Sequence, residues 1–209
     1  MEKFFNLPAE KQNKIIDAAL VSFGTNGYKK TSVSDIAAAA GISKAMVFHY
    51  FGTKKDLYLY LIQYCGDLIM KEVNDKFDRQ ITDFFDRIMQ ASEIKLSVLK
   101  IHPAILTFLS SIYFEQDEEV KDDIKKILTE TEGFRNQIAF DGMDTSKFKD
   151  SVDPKIVMKI LLWMAEGFAN GAFTPGFTKD TMDKLIGEYY ECMKLMKDNF
   201  YKEEFIKKD

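Results

Sequence analysis

Histidine, cysteine and proline are scarce in this 209-residue sequence, and each scarcity closes a class of function. With only His49 and His102, a histidine-rich metal site is excluded, and a lone His ahead of Pro103 is more often a cap or a surface residue than a ligand. Two cysteines, Cys65 and Cys192, are too few for a disulfide framework, and neither has an identifiable base to make it a nucleophile. Four prolines, no Gly- or Ser-rich stretch and no alternating Val, Ile and Thr runs argue against a sheet protein. HExxH, GxSxG, P-loop and GxGxxG motifs are all missing, which counts against an enzyme. The N-terminal MEKFFNLPAEKQ has no apolar signal core, and the most apolar stretch of the second half, residues 156–173, is interrupted by Lys159 and Glu166. A cytoplasmic location is the expectation.

What is present is apolar material in helical register. The sequence is 46% hydrophobic and 30% charged, ample for a core. Its net charge of −4 conceals a split. Residues 1–56 hold eight lysines against five acids, a balance of +3, which leaves −7 on the rest. A basic head on an acidic body suggests separate duties. Ile16, Ala19, Leu20 and Phe23 share one helical face, with Gly24 and Gly27 as stop signals. Ser32-Val33-Ser34-Asp35 reads as a capping box opening a short helix that stops at Gly41. Ser43 caps a third helix through about Tyr50, and Thr53-Lys54-Lys55-Asp56 is a second capping box opening a long helix. Further helices are expected near 80–100, 103–114, 117–139, 154–173 and 179–203, the segment 154–173 starting at Asp153-Pro154, with a polar loop over 141–152. The chain therefore reads as all-α.

Helix, a small turn on Ala40-Gly41-Ile42, and a short capped helix form the helix-turn-helix arrangement. Its second helix enters the major groove and presents its N-terminal residues to base edges. With Val47 as an inward anchor, Phe51 returns to the core, while His49 and Tyr50 are expected to face phosphates.

The stretch TSVSDIAAAAGISKAMVFHYFGTKKDL resembles the DNA-binding signature of tetracycline-repressor-type (TetR family) transcriptional regulators, specifically over about residues 10–60. The resemblance implies an N-terminal three-helix DNA-binding domain over 1–56 and an effector-binding and dimerisation domain over 57–209. It implies phosphate contacts from Thr31, Ser32, His49, Tyr50 and Lys54, and contacts to base edges or flanking phosphates from Ser43, Lys44 and Met46. Members often carry Tyr where this sequence has Phe48, so a contact through that hydroxyl is missing. The partners implied are a two-fold-symmetric DNA operator, a small, mainly apolar effector and a second copy of the chain, with no cofactor and no metal. Candidate pocket residues are Phe85, Met89, Leu109, Tyr113, Phe134, Trp163 and Phe168.

The dimer expectation also has a basis in pattern. Ile156, Ile160, Trp163 and Gly167 fall on one face, and Leu161, Leu162, Met164 and Phe168 make the rest of that helix apolar. The last helix adds Leu185, Tyr189, Cys192, Met193 and Met196. A helix apolar on nearly every side must be covered on nearly every side. Ile160, Gly167, Phe168, Tyr189 and Met193 are the expected interface, with Gly167, Ala169, Gly171 and Ala172 small enough for close approach; the alternative is that the stripe closes the effector pocket of a monomer. The rival readings are a helical enzyme, which lacks a convergent acid/base set, and a helical adaptor, which would show no salt-sensitive DNA affinity.

Overall fold

The computed structural model describes residues 1–171 and 179–206. Its helices are α1 (Glu2–Phe5), α2 (Ala9–Lys30), α3 (Val33–Ala40), α4 (Lys44–Phe51), α5 (Lys54–Lys76), α6 (Phe84–Ile101), α7 (Pro103–Ile112), α8 (Lys121–Glu130), α9 (Glu132–Phe140), α10 (Pro154–Gly171) and α11 (Lys179–Phe200). Short 3₁₀ turns lie at Thr145–Lys147, inside the expected loop, and at Glu203–Phe205. The last two residues of the helix expected over 154–173, Ala172 and Phe173, lie outside the described residues.

The chain folds as two compact units, each with its own core. The first comprises residues 1–74 and 96–133; the second, residues 75–95 and 134–209. The functional boundary expected at residue 56 is therefore not where the packing divides.

Gly24 shows why. The sequence marks it as a stop, yet α2 runs through it. A Cβ there would stand 3.0 Å from the Phe108 backbone nitrogen, so its bareness lets α2 and α7 cross backbone to backbone. The helical geometry is broken only at Gly27, where φ is 71°. Phe23, Tyr28, Tyr58 and Phe108 form a cluster of edge-on and stacked rings around this crossing. α1 is not foreseen from the sequence, because four residues give no periodicity. It buries Phe4, whose ring meets Phe51 and Tyr60.

Phe84, Phe85, Phe148, Val157, Leu161, Met193 and Tyr201 are central to the second core. Asp83 fastens it: the carboxylate pairs with Lys147 at 3.0 Å and Lys197 at 3.2 Å and accepts the Tyr201 hydroxyl at 3.2 Å. Burial alone would raise its pKa, but the Asp86 N–H and the two ammonium groups together hold it below the usual carboxylate value. The buried Arg87 guanidinium donates to the carbonyls of Ile138 and Ile81 and lies on the Phe77 ring. The single helix expected over 117–139 breaks at Thr131, whose hydroxyl turns back to the Leu128 carbonyl.

Candidate nucleic-acid interface

α3, α4 and the start of α5 are set by their caps. Ser32 Oγ accepts the Ser34 N–H at 3.2 Å; the cap forms two residues on, not as the reciprocal bond with Asp35. α3 closes with Gly41 in the left-handed region at φ 69°, while the Ile42 N–H reaches back to the Ala37 carbonyl at 3.0 Å. Ser43 Oγ then accepts the Met46 N–H at 3.3 Å and opens α4. The second capping box is complete: the Asp56 N–H bonds Thr53 Oγ1 at 3.0 Å, and Asp56 Oδ2 accepts the Thr53 N–H at 3.1 Å. The turn and both flanking helices are thus fixed by local bonds legible in the sequence.

Packing divides α4 lengthwise. Val47, Tyr50 and Phe51 are buried, at i, i+3 and i+4. Ser43, Lys44, Ala45, Phe48 and His49 are exposed on the other side, and Met46 is half-buried between them. Lys44 Nζ stands 6.0 Å from the Phe48 ring centre. This outer face holds a cation, a hydroxyl, an imidazole and an apolar ring within two turns, groups able to bond phosphate oxygens and base edges.

Two expectations are corrected. Tyr50 does not project outward: it is 4% exposed, three residues beyond Val47 on the same face, with its ring 6.2 Å from Phe4. Thr31 is also buried, and its hydroxyl donates to the Gly27 carbonyl at 2.6 Å and reaches the Ser22 carbonyl at 3.0 Å, closing the end of α2. Its proton is committed inside the chain. Lys54 stands at the N-terminus of α5, half-buried, its ammonium 4.4 Å from the Tyr28 ring centre and 3.3 Å from the Lys29 carbonyl.

One link lies beyond the reach of sequence patterns. Glu115, in the turn after α7, accepts the Tyr28 N–H at 2.7 Å and the N–H groups of Gln116 and Asp117 at 3.1 and 3.0 Å. Lys55 pairs with Asp123 of α8 at 2.7 Å. The base of the α3–α4 element is therefore tied by polar bonds to the α7–α8 region, with partners too distant in sequence for any local motif to reveal.

The candidate pocket residues are dispersed. Leu109 and Tyr113 belong to the first unit, Phe85, Met89, Phe134, Trp163 and Phe168 to the second. Phe85 is core, enclosed by Phe84, Phe148 and Tyr201. Tyr113 is exposed at the end of α7, and Trp163, 65% exposed, lies on the outside of α10, so neither lines an interior cavity of the single chain. Met193, expected at the dimer interface, is 1% exposed and already consumed by the second core. Phe168 and Tyr189 are half-buried with their rings in edge contact, Ile160 is half-buried, and Gly167 is exposed. Cys65 is fully buried, which pushes its thiol up to about 12 and leaves it unreactive. Among the described residues no group of three His, Cys, Asp or Glu could hold a metal, and no single helix is long and apolar enough to cross a membrane.

A capped helix-turn-helix with one outward face of mixed polar and apolar groups is the geometry of a DNA-reading element. Residues 15–61 match the family model of the bacterial regulatory proteins, tetR family, which places that resemblance on the capped helix-turn-helix. It is 24% identical over 168 residues to the nucleoid occlusion factor SlmA of Vibrio cholerae, covering 79% of this chain and 85% of that one. It is 36% identical over 58 residues to IcaR, the negative transcriptional regulator of the biofilm operon icaADBC in Staphylococcus aureus, a match covering 28% of this chain and 31% of IcaR. A TetR family regulator from Chloroflexus aurantiacus shares the fold across 97% of this chain and 98% of its own, with a TM-score of 0.72 at 20% identity.

Proposed function

We propose that the protein is a homodimeric repressor that binds a two-fold-symmetric operator through α4 and is released by a small, mainly apolar effector bound in the body. The observation that carries the DNA reading is the lengthwise division of α4. Three buried side chains hold the helix, while Ser43, Lys44, Phe48 and His49 are left outward. Ser32, Ser43, His49 and Lys54 are assigned to phosphates, and Lys44, with the partly exposed Met46, to base edges. The DNA-binding head is assigned to residues 1–56, and the location is cytoplasmic, where the DNA is.

Repression is favoured by the local similarity to IcaR, named as a negative regulator. Dimerisation is favoured by the outer stripe of α10, on which Ile156 and Trp163 are exposed, and by the exposed Leu195 on α11. A dimer reading half-sites one turn apart must hold its two recognition helices about 34–36 Å apart. An effector that prefers a different spacing lowers operator affinity, by no more than its differential affinity for the two states. The bonds from Glu115 to Tyr28 and from Lys55 to Asp123 offer such an effector a route to α4 through the first unit.

Selection of genomic duplex fragments on the full-length protein tests the reading. The expected result is enrichment of an inverted repeat whose affinity falls steeply with salt. Enrichment of no sequence, or affinity indifferent to salt, would overturn it.

A further inference from the structure

Phe48 is 39% exposed on α4, beside Ala45 and His49 and one turn beyond Lys44. Nothing in the first core needs the ring, since Val47, Tyr50 and Phe51 already anchor the helix. Without a hydroxyl it cannot bond a phosphate, so what it offers a base edge is apolar contact. The major groove offers one prominent apolar group, the C5-methyl of thymine. We propose that Phe48 is a specificity-determining residue that packs on a thymine methyl in each half-site, an inference that rests on the DNA-binding reading above.

The geometry also gives the neighbouring base. Lys44 and Phe48 are four residues apart, a rise of about 6 Å along the helix, or about two base-pair steps. The Lys44 ammonium near the ring is free to swing to guanine O6 and N7, the usual partners of a lysine in this groove. The half-site is therefore expected to hold a thymine and a guanine within about two steps of each other.

The test uses the full-length protein and the duplex it enriches from a random pool. Each thymine is replaced in turn by uracil, which removes one methyl and leaves the pairing intact. For the wild type, one symmetric pair of positions should weaken binding about fourfold per half-site and about fifteenfold when both are changed, the value of one buried methyl-sized group. F48A should bind weakly and be indifferent to uracil at that position, with an unchanged salt slope because no phosphate contact is lost. F48L should keep part of the uracil penalty. Retention of native helix content in F48A, expected for an exposed position, separates loss of contact from loss of fold. If no thymine is sensitive in the wild type, or F48A shows the same penalty at the same base, the proposal fails while the DNA-binding reading stands. If the wild type enriches no duplex, both fail.

Discussion

α4 and α10 both leave a large aromatic ring outside, and their surroundings differ. Phe48 is a single apolar group among Ser43, Lys44 and His49, and Lys44 stands over the ring. Trp163 belongs to a stripe, with Ile160 and Ile156 one and two turns before it, Gly167 after it, and Leu195 exposed on α11. One ring among polar groups suits a wet, charged surface such as DNA. A continuous apolar stripe suits a dry contact with another protein surface. The charge split follows the same division, since the basic balance lies in the first 56 residues and the acidic one beyond.

The strongest way to break the comparison is W163E. If the stripe is a two-fold interface, a carboxylate at its aromatic centre should cost about 2–4 kcal/mol of association, and the double-mass species should disappear in sedimentation at micromolar concentration. Operator affinity should fall with it, while the isolated chain keeps its helix content because Trp163 is outside the core. M193E, which looks equivalent in sequence, should instead unfold the second unit, since Met193 is within its core. A W163E protein that remains a dimer would remove α10 from the interface.

G24A separates the two regions from the other side. Its Cβ would press on the Phe108 backbone, and overpacking of this kind costs about 1–3 kcal/mol. Thermal melts should lose the first unit earlier, and DNA binding with it, at temperatures where the stripe-borne dimer persists. A melting curve unchanged from wild type would mean that the helices slide apart at no cost.

How far the sequence reached follows the range of the interactions. Caps at Ser32, Ser43, Thr53 and Asp153 were legible because each bond spans three residues or fewer. Val47 and Phe51 alone do not fix the direction of Tyr50, because α1, which periodicity does not reveal, brings Phe4 against that side. Gly24 read as a stop because the same residue type serves ends and crossings, and only α7 decides between them. Met193 and Trp163 have the same apolar character on paper, yet one is inside and the other outside. Periodicity gives a face, and only the partner helix says which face is covered. Glu115 carried no signal at all, since its value lies in a backbone N–H far away in sequence.

Acid provides a milder probe of the body. Asp83 is held below its ordinary value in the fold, so its contribution is full above the unfolded value of about 3.9 and fades as pH falls through the lower folded one. Second-unit stability should therefore drop below about pH 4, and D83N, expected to cost about 2 kcal/mol at neutral pH, should flatten that part of the profile. An unchanged acid limb in D83N would show that other carboxylates control it.

The smallest expected effect contrasts two lysines of the head. K44A should cost about 1–3 kcal/mol and relax preference at one base position, because Lys44 stands free on the outer face of α4. K54A should cost less than about 1 kcal/mol, spread evenly over specific and random duplexes, and lower the salt slope by about one unit. Its ammonium lies on the Tyr28 ring and at the Lys29 carbonyl, so in the free protein it already neutralises the end of α2 and must share that role with a phosphate. Fluorescence anisotropy across a salt series on both duplexes measures slope and preference together. A base-selective loss in K54A, or an even loss in K44A, would exchange the two assignments and shift the reading face from the outer side of α4 toward the start of α5.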